Sequence, residues 1–208
     1  MSSSFPNKNA ARGFTLIEVA IVLGVFAIII AGIWMLVGVL YEKAREHNAS
    51  LQAQTIIRNA RQLYGRVGEL SNAPGDYTLT FDQQNIFPQD MKVTNTADGK
   101  INHPWSTSSS GTVTIFAGYA DANGEKTQFD IHYASLPKKA CVAMINNLPN
   151  GQVTGLIYVK INSGACYGTD PSCTKQLPID LTTATTECSV ADNMGRGSND
   201  VLFRMSLH

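Results

Sequence analysis

The sequence predicts an α+β protein in which a long amino-terminal helix packs on a mainly antiparallel β-sheet. Three observations favour this fold class. A run of 23 residues without a charge begins close to the amino terminus, and apolar residues at helical spacing follow it. The remainder is rich in Gly, Ser, Thr and Asn, with short β-branched runs that are typical of strands joined by loops.

The uncharged run extends from Val19 to Tyr41. At ~1.5 Å per residue, a helix of this length crosses the ~30 Å hydrocarbon layer of a bilayer. Lys8 and Arg12 lie in the segment before Gly13, which contains no Asp or Glu. The positive-inside bias therefore places this segment in the cytoplasm and the residues beyond Tyr41 outside. Length and hydropathy alone also fit a single-pass anchor that holds a soluble domain.

The order of the parts around Gly13 differs from that of an ordinary secretory signal. A basic leader ends at Gly13 and the apolar run follows, so a cut at this Gly leaves the run on the mature protein. The stretch Arg12-Gly13-Phe14-Thr15-Leu16-Ile17-Glu18 resembles the class III signal of type IV prepilins and pseudopilins. That resemblance implies cleavage after Gly13 by a membrane peptidase, methylation of the new amino terminus at Phe14, and the type IV pilin fold.

Glu18 is a lone carboxylate at the start of the apolar helix. A carboxylate at the bilayer centre costs about 2.5–3.5 kcal/mol, less near the interface, and such residues are usually functional. After cleavage, the amine of Phe14 on a neighbouring copy is a better-placed partner than the amine of the same chain. We therefore predict that Glu18 sets register and assembly. The alternative is a Glu at the membrane surface that only favours a helix amino terminus.

Gly24, Gly32 and Gly38 interrupt the apolar run, and small residues let neighbouring helices approach closely. The run contains no Pro, which resembles the type IVb branch of pilins more than the IVa branch. The leader of 13 residues and mature chain of 195 also resemble IVb, whereas Phe14 at the mature start resembles IVa. The subclass stays open at this point.

A second helical segment, residues 42–70, is predicted to continue the helix out of the membrane, with its apolar stripe packed on a sheet. The stripe is formed by Ala49, Ala53, Ile56, Ile57, Ala60, Leu63, Tyr64 and Val67. Polar residues predicted to face solvent or neighbouring subunits are Arg45, Gln52, Arg58, Arg61 and Gln62. Asn72-Ala73-Pro74-Gly75-Asp76 predicts the stop and turn.

Residues 71–208 are predicted to form an α+β globular domain. Thr112 to Tyr119 and Thr127 to Tyr133 flank Asp121-Ala122-Asn123-Gly124, and an Asn-Gly pair between alternating apolar residues predicts a hairpin. A calcium loop starting at Asp121 is a much weaker alternative, because the Gly spacing is wrong and the downstream Glu is missing.

The carboxy-terminal part is predicted to contain one short helix and two strands. Pro137 to Asn147 has a Pro at its start and apolar residues along one face, which predicts the helix. Val153 to Ile161 and Val201 to Met205 predict the strands. Asn102-His103-Pro104-Trp105 and Phe129 to Cys141 are similar to type IVb and some minor pilins, although these motifs are less specific than the amino-terminal one.

Cys141, Cys166, Cys173 and Cys188 all lie in the exported part, and an even number there predicts two disulfides. Three pairings are possible. In the nested one, Cys141 pairs with Cys188 and Cys166 with Cys173, so that the larger loop contributes about 4 kcal/mol. No pair has the two-residue spacing of a structural zinc site, so no metal is expected.

Charge and motifs do not favour a nucleic-acid binder or an enzyme. Lys and Arg total 16, as do Asp and Glu, and the basic residues are scattered. His47, His103, His132 and His208 show no recognisable pairing with a nucleophile, and no phosphate loop or paired-carboxylate motif occurs. We expect neither catalysis nor a cofactor.

The sequence thus predicts a structural subunit: residues 1–13 a cleaved leader, 14–41 an apolar assembly helix, 42–70 its amphipathic continuation and 71–208 the globular domain. The resemblance implies an inner-membrane precursor that polymerises into an extracellular pilus. It also implies partners: a prepilin peptidase, an inner-membrane assembly platform, an assembly ATPase and a secretin. Alternatives are a minor pilin or a pseudopilin of a type II secretion system, and a membrane-anchored enzyme or binding domain.

Overall fold

Helix α1 (Leu16–Tyr64) is the longest element of the computed structural model. The structure describes residues 15–65, 73–92, 101–107, 110–148, 153–162, 164–189 and 198–207. The chain divides into two compact units, Met1–Lys43 and Ala44–His208. The described helix ends at Tyr64 and is followed by Gly65. Residues 66–72, which include the predicted end at residue 70 and Val67 of the predicted stripe, lie outside the described part.

In the second unit, one face of α1 lies in the hydrophobic core. The predicted stripe is confirmed for five of its members, which are at most 5% exposed: Ala49, Ala53, Ile56, Ile57 and Ala60. The prediction that Leu63 is part of the buried stripe is wrong. This residue lies on the solvent side of the last turn, with 44% of its surface exposed. Tyr64 is half-buried and stacks on Phe81 at 5.5 Å between ring centroids.

Two polar residues predicted to face solvent or other subunits instead bind within the chain. Gln52 is buried, and its amide nitrogen donates to the Asp90 carboxylate at 2.6 Å. Arg61 donates to the backbone carbonyls of Ser206 and Thr154. Helical spacing cannot reveal these contacts, because both partners come from distant segments of the chain.

Short elements follow α1 in the second unit. They are β1 (Gly75–Asp76), α2 (Thr78–Gln83), a 3-10 turn (Gln89–Met91), β2 (Asn102–Thr107), β3 (Ser110–Tyr119), β4 (Gln128–Leu136), α3 (Lys138–Asn147), β5 (Leu156–Ile161), β6 (Cys166–Gly168), α4 (Leu181–Glu187) and β7 (Asn199–Ser206). The predicted hairpin is confirmed as β3 and β4, and the predicted helix as α3 with Pro137 at its N-cap.

The strands form one sheet in the order β1-β3-β4-β7-β5-β6, with β2 paired to β3. All strand pairs that the structure describes are antiparallel, so the predicted fold class is confirmed. The last strand, β7, lies in the middle of the sheet between β4 and β5. Its residues alternate between buried and half-buried, as expected for a strand with one face on the core.

Two boundaries differ from the sequence prediction. Gly75 and Asp76 pair with Ala117 and Phe116 of β3, so part of the predicted turn is an edge strand. Strand β5 begins at Leu156 rather than Val153, because the chain turns at Gly155, where φ is +76°. That left-handed conformation favours Gly and is incompatible with regular strand pairing.

A buried ion pair joins β4 to β7 on the sheet face opposite Phe129 and Met205. Arg204 donates from Nε and Nη2 to the two carboxylate oxygens of Asp130 at 2.6 and 2.7 Å. The guanidinium also lies over Tyr119 and Tyr158, at 4.0 and 4.8 Å from the ring centroids. Burial raises the pKa of the Asp130 carboxyl, and Arg204 opposes this. The pair is satisfied in both its bonds and its charge, which a buried ion needs.

His103 fixes the edge strand β2 through both ring nitrogens. Its Nδ1 accepts from the Trp105 backbone N–H at 3.2 Å, so Nε2 carries the proton and donates to the Ala134 carbonyl at 2.9 Å. The residue is 3% exposed. Burial lowers the pKa of His103, and the hydrogen bond to Ala134 only partly opposes this. The hydrogen bonds and the lowered pKa both favour the neutral ring in the folded protein.

We predict that His103 makes folding sensitive to mild acid. The folded pKa of His103 lies below the unfolded value of about 6.5. The folding stability that the neutral ring contributes is therefore fully present above about pH 6.5 and is lost as the pH falls through the folded pKa. Urea unfolding of residues 42–208 should show a smaller loss of stability between about pH 7 and pH 5 in His103→Gln than in the unaltered protein. His47→Gln, at an exposed position on α1, is the control and should keep the original slope. An unchanged slope in His103→Gln contradicts the prediction.

Candidate functional site

The first turn of α1 is closed by the side chain of Thr15. The Glu18 backbone N–H lies 3.3 Å from the Thr15 hydroxyl and 3.1 Å from the Thr15 carbonyl, and Val19 N–H donates to the same carbonyl at 3.2 Å. Thr15-Leu16-Ile17-Glu18 thus has the spacing of a capping box, with Thr at the N-cap and Glu three residues later. The cap fixes where the helix begins and holds Glu18 in its first turn.

The carboxylate of Glu18 has no hydrogen-bond or ion-pair partner among the residues that the structure describes. It is exposed on the first turn, where a negative charge interacts favourably with the helix dipole. Gly13 and Phe14, the predicted processing residues, lie outside the described residues. The structure therefore positions one member of the predicted site, and the charge of that member is available to another molecule.

The apolar run that follows Glu18 is not covered by any part of the chain that the structure describes. An 18-residue window of α1 has a mean hydropathy of 2.8 and none of it is buried, so the helix is long and apolar enough to cross a membrane. Large side chains along it are exposed, including Ile28 at 75%, Trp34 at 71% and Met35 at 77%. Such a surface is stable only when lipid or another apolar surface covers it.

The three glycines in this run are not required by contacts within the chain. A Cβ atom placed on Gly24, Gly32 or Gly38 would meet nothing within 4 Å. Each Gly nevertheless weakens a helix by about 1 kcal/mol relative to Ala. An external reason for small residues, namely close approach by another helix, fits this pattern.

The four cysteines form two disulfides in the structure. Cys141 of α3 bonds to Cys188, which follows α4, with 5.9 Å between the Cα atoms. Cys166 of β6 bonds to Cys173, with 4.8 Å between the Cα atoms. The two disulfides are nested. The one with the longer loop links α3 to the end of α4, and both of its cysteines are fully buried.

A polar cluster holds the segment enclosed by the larger disulfide. Tyr167 donates its hydroxyl proton to the Glu187 carboxylate at 2.9 Å, and the Lys175 ammonium lies 3.0 Å from that hydroxyl and 3.1 Å from the same carboxylate. These bonds connect β6, the following loop and α4. They stabilise the packing of these three segments.

The described ranges contain no group of three or more His, Cys, Asp and Glu side chains placed to hold a metal ion. His47 is exposed on α1, His103 is enclosed by β2 and β4, and His132 lies 3.9 Å from Asp200 on the sheet face; His208 is outside the described residues. The hydroxyl of Thr114 lies 3.3 Å from His132 Nδ1, and this contact joins paired positions of β3 and β4.

Family comparisons match almost the whole chain. Residues 43–205 match the family described as PilS N terminal, and residues 8–34 match the prokaryotic N-terminal methylation motif. The second match contains Gly13, Phe14 and Glu18. No curated protein matches the chain at a significant level of sequence similarity.

Two solved structures share the fold. The type IV b pilin from Salmonella typhi is 22% identical, with a TM-score of 0.56, over 76% of this chain and 97% of its own. TcpA, a type IV pilin from the El Tor biotype of Vibrio cholerae, is 14% identical, with a TM-score of 0.52, over 78% of this chain and 99% of its own. At these identities the likeness shows the fold alone.

The sequence predictions did not include the cap formed by Thr15 or the contacts of Arg61. The capping role of Thr15 could have been found, because Thr followed three residues later by Glu before an apolar run is a capping signal. The sequence identified Glu18 as a lone charge, and the described residues offer its carboxylate no partner. The hydrogen bonds from Arg61 to the backbone carbonyls of Ser206 and Thr154 have no sequence signal.

We predict that the nested disulfides differ in their contribution to stability. The loops span 47 and 7 residues, so chain entropy assigns about 4 kcal/mol to Cys141–Cys188 and about 2 kcal/mol to Cys166–Cys173. Denaturant unfolding of the paired Cys→Ser variants of residues 42–208 should show this order. Non-reducing peptide mapping of the unaltered protein is the companion measurement, and a peptide linking Cys141 to Cys166 or Cys173 contradicts the nesting.

Proposed function

The chain belongs to the PilS N terminal family and is a type IV pilin, and we propose that copies polymerise through the amino-terminal half of α1. The protein is a pilus subunit: a membrane-anchored precursor that becomes part of an extracellular pilus. The alternative of a minor pilin or a pseudopilin is not favoured by the comparisons. The observation that carries the proposal is an apolar helix that the described residues leave uncovered and that begins with a carboxylate lacking a partner among them.

The first step of the proposed assembly is processing. Cleavage after Gly13 frees the amine of Phe14, four residues before Glu18, and methylation keeps that amine basic. Before cleavage, the leader keeps Lys8 and Arg12 on the cytoplasmic side, where they hold the precursor in the membrane. Cleavage therefore removes a charged anchor and creates a cation at the helix start in one reaction.

The second step is extraction from lipid into a helix bundle. The exposed apolar surface is covered equally well by acyl chains and by other copies, so hydrophobicity alone does not select the bundle or its register. An unpaired carboxylate in such a bundle is costly, and pairing with the Phe14 amine of a neighbouring copy removes that cost. Glu18 therefore favours one stagger of the helices over all others.

The proposed partners follow from this sequence of events. A prepilin peptidase processes the amino terminus, a platform in the inner membrane positions the processed subunit, and an ATPase supplies the work of extraction. A secretin provides passage across an outer membrane. The solved neighbours are pilins, which are structural subunits, and we propose that this chain likewise has no catalytic role and no cofactor.

We predict that the mature protein begins at Phe14 with a methylated amino group. Intact mass and amino-terminal sequencing of sheared filaments should show the loss of residues 1–13 and one added methyl group. Gly13→Leu, which obstructs the peptidase with a large side chain, should leave full-length protein in the membrane. Filaments whose subunits retain Met1 would overturn the proposed processing.

We predict that Glu18→Ala leaves the protein in the membrane and folded but reduces filaments about tenfold or more, because each 1.4 kcal/mol lost per contact changes an equilibrium constant tenfold. Filament mass sheared from cells, relative to total pilin, is the measurement. Glu18→Gln should behave alike, because it keeps the shape and removes the charge.

Thr15→Val is the matched control for Glu18. It removes the capping hydroxyl, which is worth about 1 kcal/mol to the helix, and keeps the carboxylate. We expect it to retain most of the filament yield. Equal losses in Thr15→Val and Glu18→Ala would assign the role of Glu18 to the helix cap, and a normal yield in Glu18→Ala would remove it from assembly.

A further inference from the structure

A groove lies on the second unit, between the outer face of α1 and the turn at Val153–Thr154. Its volume is about 530 Å³. Its lining includes Leu51, Arg58 and Arg61 from the helix, and Val153 from the turn. The groove is on the side of α1 that the core leaves open, since Leu51 has 47% of its surface exposed.

The groove is lined by three apolar side chains, Leu51, Ile57 and Val153, among polar ones, and it contains one available positive charge. Arg61 is occupied by the carbonyls of Thr154 and Ser206, whereas the exposed Arg58 has no hydrogen-bond or ion-pair partner among the described residues. None of the described residues that line the groove is acidic. A suitable occupant therefore presents an apolar side chain next to a carboxylate.

The chain itself presents such a pair at the start of α4. Leu181 is 63% exposed, more than any other large apolar residue described in the second unit. Asp180 precedes it and is exposed, with its carboxylate accepting from the backbone and hydroxyl of Thr183 at 2.9 and 2.6 Å. These bonds lower the pKa of Asp180, so the carboxylate is ionised.

We propose that Asp180 and Leu181 of one copy dock in the α1 groove of a neighbouring copy, with Leu181 against Leu51 and Asp180 beside Arg58. The contact joins two different surfaces of the same chain, so it is heterologous and can propagate into a filament. The inference rests on the proposed polymerisation, because it names the lateral partner of the globular units.

The size of the contact decides what it does. One Leu and one ion pair bury far less than the ~1,200–2,000 Å² of a stable interface, so the contact does not assemble subunits alone. Once the amino-terminal helices bring copies together, the second contact forms at high effective concentration. The contact then selects which neighbour a globular unit faces.

The test is cysteine cross-linking in full-length filaments. Leu51→Cys combined with Leu181→Cys should give a ladder of covalent multimers on non-reducing gels of sheared filaments, and the reduced sample should collapse to monomer. Each single variant should give no ladder. Leu181→Cys combined with Leu79→Cys, at an exposed position on α2, is the matched control pair and should also give none.

Charge variants test the second half of the contact. Arg58→Glu should lower filament yield several-fold, whereas Lys139→Glu, a charge reversal at an exposed position on α3, should not. Asp180→Asn keeps an N-cap residue and removes the charge, so it should resemble Arg58→Glu.

The outcomes separate this contact from polymerisation itself. A normal filament yield in Arg58→Glu, together with no ladder from the variant that combines Leu51→Cys with Leu181→Cys, overturns the contact. Polymerisation itself then stands. A ladder from the Leu79 pair instead assigns a different neighbour and also overturns it. Absence of filaments from the unaltered chain overturns both proposals.

Discussion

The structure depends on one helix that needs two different surroundings. Along its carboxyl-terminal part, the stripe of Ala53, Ile56, Ile57 and Ala60 is buried by the chain's own sheet. Along its amino-terminal part, the window of highest hydropathy has no buried residue. The first surface is satisfied on folding, and the second only by lipid or by another molecule. A chain of this kind can fold as a monomer, but it cannot leave the membrane as one.

The globular unit is arranged so that a loop-rich tail still ends in ordered structure. Strand β7 lies in the centre of the sheet, where Arg204 binds Asp130 across one strand pair and lies over the rings of two tyrosines. Between β6 and β7, the Cys141–Cys188 bond and the Tyr167–Glu187–Lys175 cluster hold the chain. Because β7 pairs with both β4 and β5, the end of the tail is part of the core. Surface segments such as α4 are consequently held in place while remaining open to solvent.

The sequence predicted those features that follow from local period and motif, and missed those that depend on distant contacts. The α1 stripe, the hairpin at Asn123-Gly124 and helix α3 each have a signal within about a dozen residues. Strands β2 and β6 are short and contain Pro or Gly, and their pairing is decided by His103 and by the neighbouring strand β5. Helical spacing indicates only which residues share a face, and on that basis Gln52 and Arg61 are predicted to lie at the surface. Gln52 instead binds a residue 38 positions away, and Arg61 binds one 145 positions away.

Two kinds of contact are needed to specify a helical polymer from this chain, and the molecule separates them. Apolar packing of amino-terminal helices is strong but tolerant of sliding, since one turn of Ile and Val resembles the next. A single carboxylate at Glu18 breaks that degeneracy along the helix axis, because each wrong stagger leaves a charge unpaired. Axial register does not decide which side of a neighbour is met. Selection around the axis requires features of the globular unit, where charge and shape differ from one surface to another. The open face of α1 carries Arg58, whose guanidinium has no partner among the described residues.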